Sequence, residues 1–133
     1  METNQETTKR ADLRIVPANQ ASGEDLEKIF GTRGDAGHCQ CQWFQNPGKS
    51  FNMLTDEERA NRLRTQTACG HPKATNTSGL VGYLEGEPVG WCAIEPRTAY
   101  PRLRTSKVPW SGRDEDKDSQ DVWAAVCFVT RTG

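Results

Sequence analysis

Two short segments of the chain carry residue types that bind metals. His38-Cys39-Gln40-Cys41 and Cys69-Gly70-His71 each place thiols and an imidazole close together in sequence. Four such ligands could form a tetrahedral zinc site. Structural zinc sites favour two to four residues between paired cysteines, whereas one residue separates each pair here. We therefore expect no metal at these residues, and a small zinc-binding protein remains an alternative.

The same segments could support nucleophilic chemistry. Cys39 or Cys41 could act as a nucleophile with His38 as its base. The sequence identifies no Asp or Asn that would orient this imidazole, so the spacing favours ordinary loop or buried thiols. Three evenly spaced glycines follow a predicted helix rather than a strand, which predicts a loop rather than a phosphate cradle.

Two charged segments follow one another near the carboxyl end. Residues 97–107 carry four basic side chains and no acid, and residues 113–121 carry five acids and two bases. A basic patch could bind phosphates and an acidic patch could bind an amine. We interpret the segments as neighbouring loops in water whose charges partly pair with each other.

Length and composition exclude several classes of protein. The chain has 133 residues, which favours one domain. Its 17 basic and 18 acidic residues give a net charge of −1, unlike a nucleic-acid binder. No apolar run approaches the roughly 20 residues that cross a membrane, and the polar segment 1–10 is not a secretory signal. Five cysteines, an odd number, indicate thiols in a reducing, cytoplasmic location.

Capping signals predict two helices. Ser22 and Thr55 are each followed three residues later by an acid, the signature of a helix start. The first helix should end at Gly31 and the second at about Cys69. Between the two helices, residues 31–53 are predicted to form a loop.

Apolar runs predict four strands. A short strand is expected at 13–16, and two strands at 80–84 and 89–94 form a hairpin around the turn 85–88. The continuous apolar run Val122–Val129 predicts a strand buried on both faces. The order strand–helix–helix–strand–strand–strand indicates an α/β or α+β layered domain over residues 12–133, after a disordered tail at 1–11.

Residues 79–97 and 122–131 resemble a known family. GLVGYLEGEPVGWCAIEPR is similar to the hairpin formed by the second and third strands of the GNAT superfamily of N-acetyltransferases, and VWAAVCFVTR is similar to its fourth strand. Cys39-x-Cys41-x-Trp43-Phe44 and Tyr100-Pro101-Arg102-Leu103 resemble a bacterial subgroup that carries both. The resemblance implies a GNAT-like mixed sheet.

The resemblance also implies a function. GNAT proteins transfer an acetyl group from acetyl-CoA to an amine, which here would belong to a small molecule or a peptide. The end of the fourth strand lies along the pantetheine arm, so Cys127, Phe128 and Val129 would contact acetyl-CoA through their main chain. The segment Val122–Val129 contains no Glu or Asp to act as a base, so no catalytic side chain is assigned.

In GNAT proteins the fourth strand leads into a glycine-rich turn that binds the pyrophosphate of coenzyme A, and this sequence stops before that position. We therefore expect the amino-terminal portion of a GNAT domain, truncated after its fourth strand. Such a chain should bind acetyl-CoA weakly and associate through the exposed fourth strand, for example as a homodimer. The alternative is a non-catalytic GNAT-like interaction module.

Overall fold

Four strands form one antiparallel sheet in strand order 1-2-3-4. The computed structural model describes residues 11–131, so the predicted tail at 1–11 lies outside the described residues except for Ala11. Every pairing within this part of the chain is antiparallel, so the mixed sheet implied by the resemblance is not found there. The strands are β1 (Leu13–Pro17), β2 (Leu80–Leu84), β3 (Glu87–Pro96) and β4 (Trp123–Thr130).

The turn between β2 and β3 confirms the predicted hairpin. Glu85 and Gly86 both have positive φ, 51° and 81°. Two consecutive residues in this region form the type I′ turn, whose twist matches that of the flanking strands. The turn is therefore two residues long, and β3 begins at Glu87, inside the segment predicted as turn.

Both predicted helix starts are confirmed. The Ser22 hydroxyl accepts a hydrogen bond from the Asp25 amide at 3.0 Å. At the second start, Thr55 and Glu58 exchange side-chain and backbone hydrogen bonds in a full capping box. The backbone bond from Thr55 holds the pKa of the Glu58 carboxyl below its usual range. The helices that follow are α1 (Gly23–Phe30) and, after a second short helix α2 (Gly34–Cys39), α3 (Asp56–Thr67).

Two helices were not predicted. α2 lies inside the predicted loop 31–53, and α4 (Pro101–Thr105) lies inside the connection between β3 and β4. α2 packs closely on the preceding turn, because a Cβ added at Gly37 would lie 2.9 Å from the carbonyl oxygen of Gly31. Close backbone packing of this kind leaves no periodic apolar pattern in the sequence. α3 ends at Thr67 rather than at about Cys69, since Ala68 adopts a left-handed conformation.

The core lies between one face of the sheet and the helices. Trp91 of β3 is buried at its centre, with its ring 5.8 Å from the ring of Phe30 in α1. Gly79 lies directly against that ring, so any side chain there would overlap the indole and approach the Cys92 carbonyl to 2.7 Å. The buried cluster comprises Ala18, Ala21, Leu26, Ile29, Phe30, Cys41, Leu63, Val81, Trp91 and Ala93.

The opposite face of the sheet is open to solvent in the described part of the chain. Leu13 and Ile15 of β1 are exposed, and so is Phe128 of β4, at 73%. The expectation that Val122–Val129 forms a strand buried on both faces is wrong, because β4 lies at the edge of the sheet and is covered on one face. Trp123 of the same strand is exposed as well. Among residues 11–131 no helix has the length and apolar character to cross a membrane.

The packing at Gly79 predicts a large effect of a small substitution. Gly79→Ala should destabilise the protein by about 2–4 kcal/mol, because the methyl group adds a steric clash to an unfavourable positive φ. Gly86→Ala is the matched control, since its φ is also positive but its Cβ would enter open space. Gly86→Ala should lower the free energy of unfolding by about 1 kcal/mol. Urea unfolding of both variants measures the difference, and equal losses would contradict the packing described.

Candidate functional site at the edge of the sheet

β4 has a strand partner on one side only within residues 11–131. The Arg131 amide donates to the Val89 carbonyl at 2.8 Å, and Thr130 lies opposite Gly90. Hydrogen-bonded and non-hydrogen-bonded pairs alternate along an antiparallel ladder. The main-chain groups of Phe128 and Thr130 therefore point away from β3, toward the open edge.

The three residues that the resemblance assigns to acetyl-CoA differ in the direction of their main-chain N–H and C=O groups. Cys127 lies opposite Ala93 and Val129 opposite Trp91, so the alternation turns their main-chain groups toward β3. Their side chains pack against the core. Phe128 alone of the three turns its main chain to the open edge. An extended molecule lying along this edge would therefore form main-chain hydrogen bonds with Phe128 and not with Cys127 or Val129.

A disulfide joins Cys41 to Cys127, with the two Cα atoms 6.4 Å apart. The expectation that the cysteines are all free thiols is therefore wrong for this pair. The partners are separated by 86 residues, so no local spacing could indicate the bond. The Trp91 indole donates to the Cys41 sulfur at 3.3 Å, which places the disulfide in the core and ties the loop after α2 to β4.

The residues that were weighed as metal ligands do not converge. Within the described residues no group of three His, Cys, Asp or Glu side chains is arranged to hold a metal ion. His38 instead lies with its Nδ1 2.7 Å from the Asp56 carboxylate, and His71 is exposed on the turn after α3. Cys39 and Cys69 are half-buried thiols. The sequence did not predict the contact between His38 and Asp56, because a loop of unpredicted shape lies between them.

Two arginines bind main-chain carbonyl groups of the cysteine-containing segment and of the residues that follow it. The buried Arg59 of α3 donates to the Phe51 carbonyl at 2.7 Å and to the His38 carbonyl at 3.1 Å. Arg102 of α4 donates to the Trp43 carbonyl at 2.7 Å and stacks 3.6 Å above its ring. The two segments that resemble a bacterial subgroup, 39–44 and 100–103, are therefore in direct contact.

The charged segments of the β3–β4 connection pair with each other, as predicted. Arg97 lies 2.7 Å from Glu115, and Arg104 lies 2.9 Å from Asp118. A pocket of about 230 Å³ lies between this connection and the first half of β4. The sequence predicted the pairing of charge but not the pocket, because the pocket depends on how the connection folds back.

A partly buried carboxylate lies on the strand next to β4. Burial raises the pKa of Glu95, whose carboxylate accepts a hydrogen bond from Ser78 at 3.1 Å. Glu95 lies opposite Ala124 of β4. The sequence places no acid within Val122–Val129, and this carboxylate lies on the neighbouring strand instead. Burial also raises the pKa of the nearby Tyr100, whose hydroxyl has no partner among the described residues.

The disulfide predicts a specific thiol count. Denatured without reductant, the protein should show three reactive thiols, and after reduction it should show five. Reduction, or a Cys127→Ser change, should cost about 2–4 kcal/mol of unfolding free energy, since the bond closes a long loop.

Cys69→Ser is the control for this experiment. It removes a half-buried free thiol, so it should lower the unreduced count to two and change stability by less than about 1 kcal/mol. Five thiols without reductant would show that Cys41 and Cys127 are not bonded. Colorimetric thiol titration and thermal unfolding make both measurements.

Comparison with known proteins adds no relative. No protein-family model, curated protein or solved structure matches the chain.

Proposed function

We propose that the chain forms the acyl-donor side of an acetyl-CoA-dependent N-acetyltransferase, with the donor lying along the edge of β4. The observation that supports this proposal is the outward main chain of Phe128 and Thr130. An edge strand with unpaired amide and carbonyl groups can accept an extended, amide-containing arm as an additional strand. The resemblance of residues 122–131 to a GNAT fourth strand agrees with this placement.

The chemistry follows from the edge. Acetyl-CoA supplies an activated thioester, whose carbonyl carbon a neutral amine can attack. The Phe128 N–H can stabilise negative charge on the carbonyl oxygen, because it points out of the sheet with no partner among residues 11–131. The acceptor is an amine.

Two substitutions at one position test this role. Phe128→Pro removes the outward N–H without breaking a ladder hydrogen bond, since proline is tolerated where an edge strand faces outward. Phe128→Ala removes the ring and keeps the N–H. The proline variant should lose at least about ten-fold in acetyl-CoA affinity, as expected for one lost hydrogen bond at a carbonyl. The alanine variant should lose much less.

Amide NMR spectra recorded during titration with acetyl-CoA measure this effect. Shifts should centre on residues 128 and 130, with a dissociation constant in the millimolar range, because the sequence shows no pyrophosphate-binding turn. Shifts confined to the helices, or none, would contradict the proposed placement. Micromolar affinity would contradict the expectation of weak acetyl-CoA binding. The pattern of shifted amides would still show whether acetyl-CoA binds along β4.

A second candidate function is protein association through the same edge. Trp123 and Phe128 flank the open strand and are 60% and 73% exposed. Exposed aromatic side chains beside an unpaired strand favour pairing with another chain, and a second copy of the same chain is the simplest partner. This candidate requires no acetyl-CoA and corresponds to a non-catalytic module.

Association has its own test. The full chain should form dimers or larger species at tens of micromolar, a concentration at which edge pairing is expected to be populated. Phe128→Lys should shift the association equilibrium toward the monomer, because a charge on an edge strand opposes pairing with the strand of another chain. Val108→Lys is the control, since Val108 is 85% exposed but lies outside the sheet. Light scattering that finds only a 14.8 kDa species with the unsubstituted chain would exclude this function.

A further inference from the structure

The face of the sheet opposite the core carries a continuous apolar row. The row takes one residue from each strand, and each residue lies directly opposite the next. Residues that lie opposite one another in a sheet share a face. In order across the sheet the row is Pro17, Leu80, Cys92 and Phe128. We call this surface the open face, and it comprises the row together with the exposed side chains of Leu13, Ile15 and Leu84.

The open face is large enough for a stable dimer. Leu13, Ile15 and Phe128 are 61%, 62% and 73% exposed, and Leu80 and Leu84 are 36% and 38% exposed. Together these side chains present on the order of 500 Å² of apolar surface. A homodimer interface buries about 800 Å² on each partner, about two-thirds of it apolar. The open face therefore supplies the apolar area that a dimer of this chain needs.

Charge is confined to one end of the open face. Of the strand residues that the structure describes on this face, Glu87 alone is charged, and Arg131 pairs with it at 3.4 Å. Beside the same end the Glu85 carboxylate accepts a hydrogen bond from the Asp12 amide. An apolar centre with a polar rim is the composition of a protein interface. The acids at this end do not suit an anionic membrane, which attracts lysine and arginine.

Two glycines form a depression in the middle of the open face. Gly82 of β2 lies opposite Gly90 of β3, and the same row continues to Ile15 on one side and Thr130 on the other. A Cβ added at Gly82 or Gly90 would contact one main-chain oxygen, at 3.9 or 3.8 Å, and no described side chain. Ile15 and Thr130 are three strand spacings apart, about 14 Å. The depression between them therefore admits one aromatic ring.

We propose that a second copy of this chain packs on the open face, with Phe128 of each copy inserted into the Gly82–Gly90 depression of the other. A twofold axis makes this interface self-complementary, because each copy supplies the same projecting ring and the same depression. The depression lies about 7 Å from Phe128 along the strand and about 7 Å across the strands. An axis that exchanges two such points runs at about 45° to the strands, so the two sheets cross at nearly a right angle, a known arrangement of packed sheets.

This interface leaves the edge of β4 free. Phe128 turns its side chain to the open face, whereas its main-chain groups point along the sheet toward the edge. Packing of the faces therefore buries the ring and leaves the outward amide accessible. The inference rests neither on acetyl-CoA binding nor on pairing of β4 edges, and the dimer presents two free edges.

A substitution on β1 separates face packing from edge pairing, because β1 and β4 lie at opposite edges of the sheet. At tens of micromolar, a concentration at which association is expected to be populated, light scattering should give the full chain twice its mass of 14.8 kDa. Ile15→Lys should raise the dimer dissociation constant at least about ten-fold, since it places a charge inside the apolar interface. Met53→Lys is the control, because Met53 is 79% exposed but lies outside the sheet, and it should leave the dissociation constant unchanged.

Filling the depression tests the contact itself. Gly82→Val adds a side chain that the monomer can accommodate, since Gly82 has no positive φ and no side chain above it among the described residues. Its urea unfolding midpoint should not fall, whereas its dimer dissociation constant should rise at least about ten-fold, as expected for overpacking. Phe128→Ala should weaken the dimer by itself but not further in the Gly82→Val background, because both changes remove one contact.

Dimers formed from labelled and unlabelled chains allow a direct measurement. Isotope-filtered NMR should detect contacts from the Phe128 ring of one copy to the Hα atoms of Gly82 and Gly90 of the other. Three results would overturn the inference: a chain that is not a dimer at tens of micromolar, equal effects of Ile15→Lys and Met53→Lys, or a Gly82→Val variant that dimerises like the unsubstituted chain.

Failure of the candidate functions is distinguishable from failure of this inference. If Phe128→Lys gives monomers and Ile15→Lys does not, the chains pair through the β4 edge and the face inference fails. If both variants give monomers but acetyl-CoA does not shift the Phe128 amide, the face inference stands and the acetyltransferase proposal fails.

Discussion

The contact between the Trp91 ring and Gly79 is the constraint on which the rest of the structure depends. The indole lies in the space that any side chain at residue 79 would occupy, which fixes the approach of the chain to β2. Its other contacts are the Phe30 ring of α1 and the Cys41 sulfur of the following loop. Burying a side chain of this size contributes about 4–6 kcal/mol. One residue of β3 thus positions a helix, a loop and the neighbouring strand together.

The core covers only one face of the sheet. Side chains on that face therefore hold β4 in place, while its other face and its outer edge remain exposed. Cys127 and Val129 turn their side chains to the core, and the disulfide adds a covalent link on that side. Phe128, between them, turns its side chain to the bare face and its main chain to the edge. A strand held firmly by alternate residues can present the intervening residue to a ligand without loss of position. The same geometry serves an acyl donor or a second chain, so the two candidate functions share a surface.

The sequence predicted what depends on local signals. Ser22 and Thr55 identified both long helices, because a cap acts within one turn, and the Glu85-Gly86 turn identified the hairpin for a similar reason. The sequence did not predict α2, whose glycine packs on backbone, or the Cys41–Cys127 bond, whose partners meet only through the fold. The exposure of β4 was also mispredicted, since an apolar run does not reveal which neighbours cover it.

The candidate site was predictable to the same limited degree. The resemblance placed the expected contacts on the fourth strand, and the ladder decides that the main chain of Phe128, and not that of Cys127 or Val129, faces outward. The pairing of the two charged segments followed from their composition, whereas the pocket required the closure of the connection by Arg97 and Val122. This closure is a physical reason for the site to lie where it does. The connection leaves β3, an interior strand, and returns at the start of β4, so it folds at that end of the strand pair, where the pocket is lined by the first residues of β4.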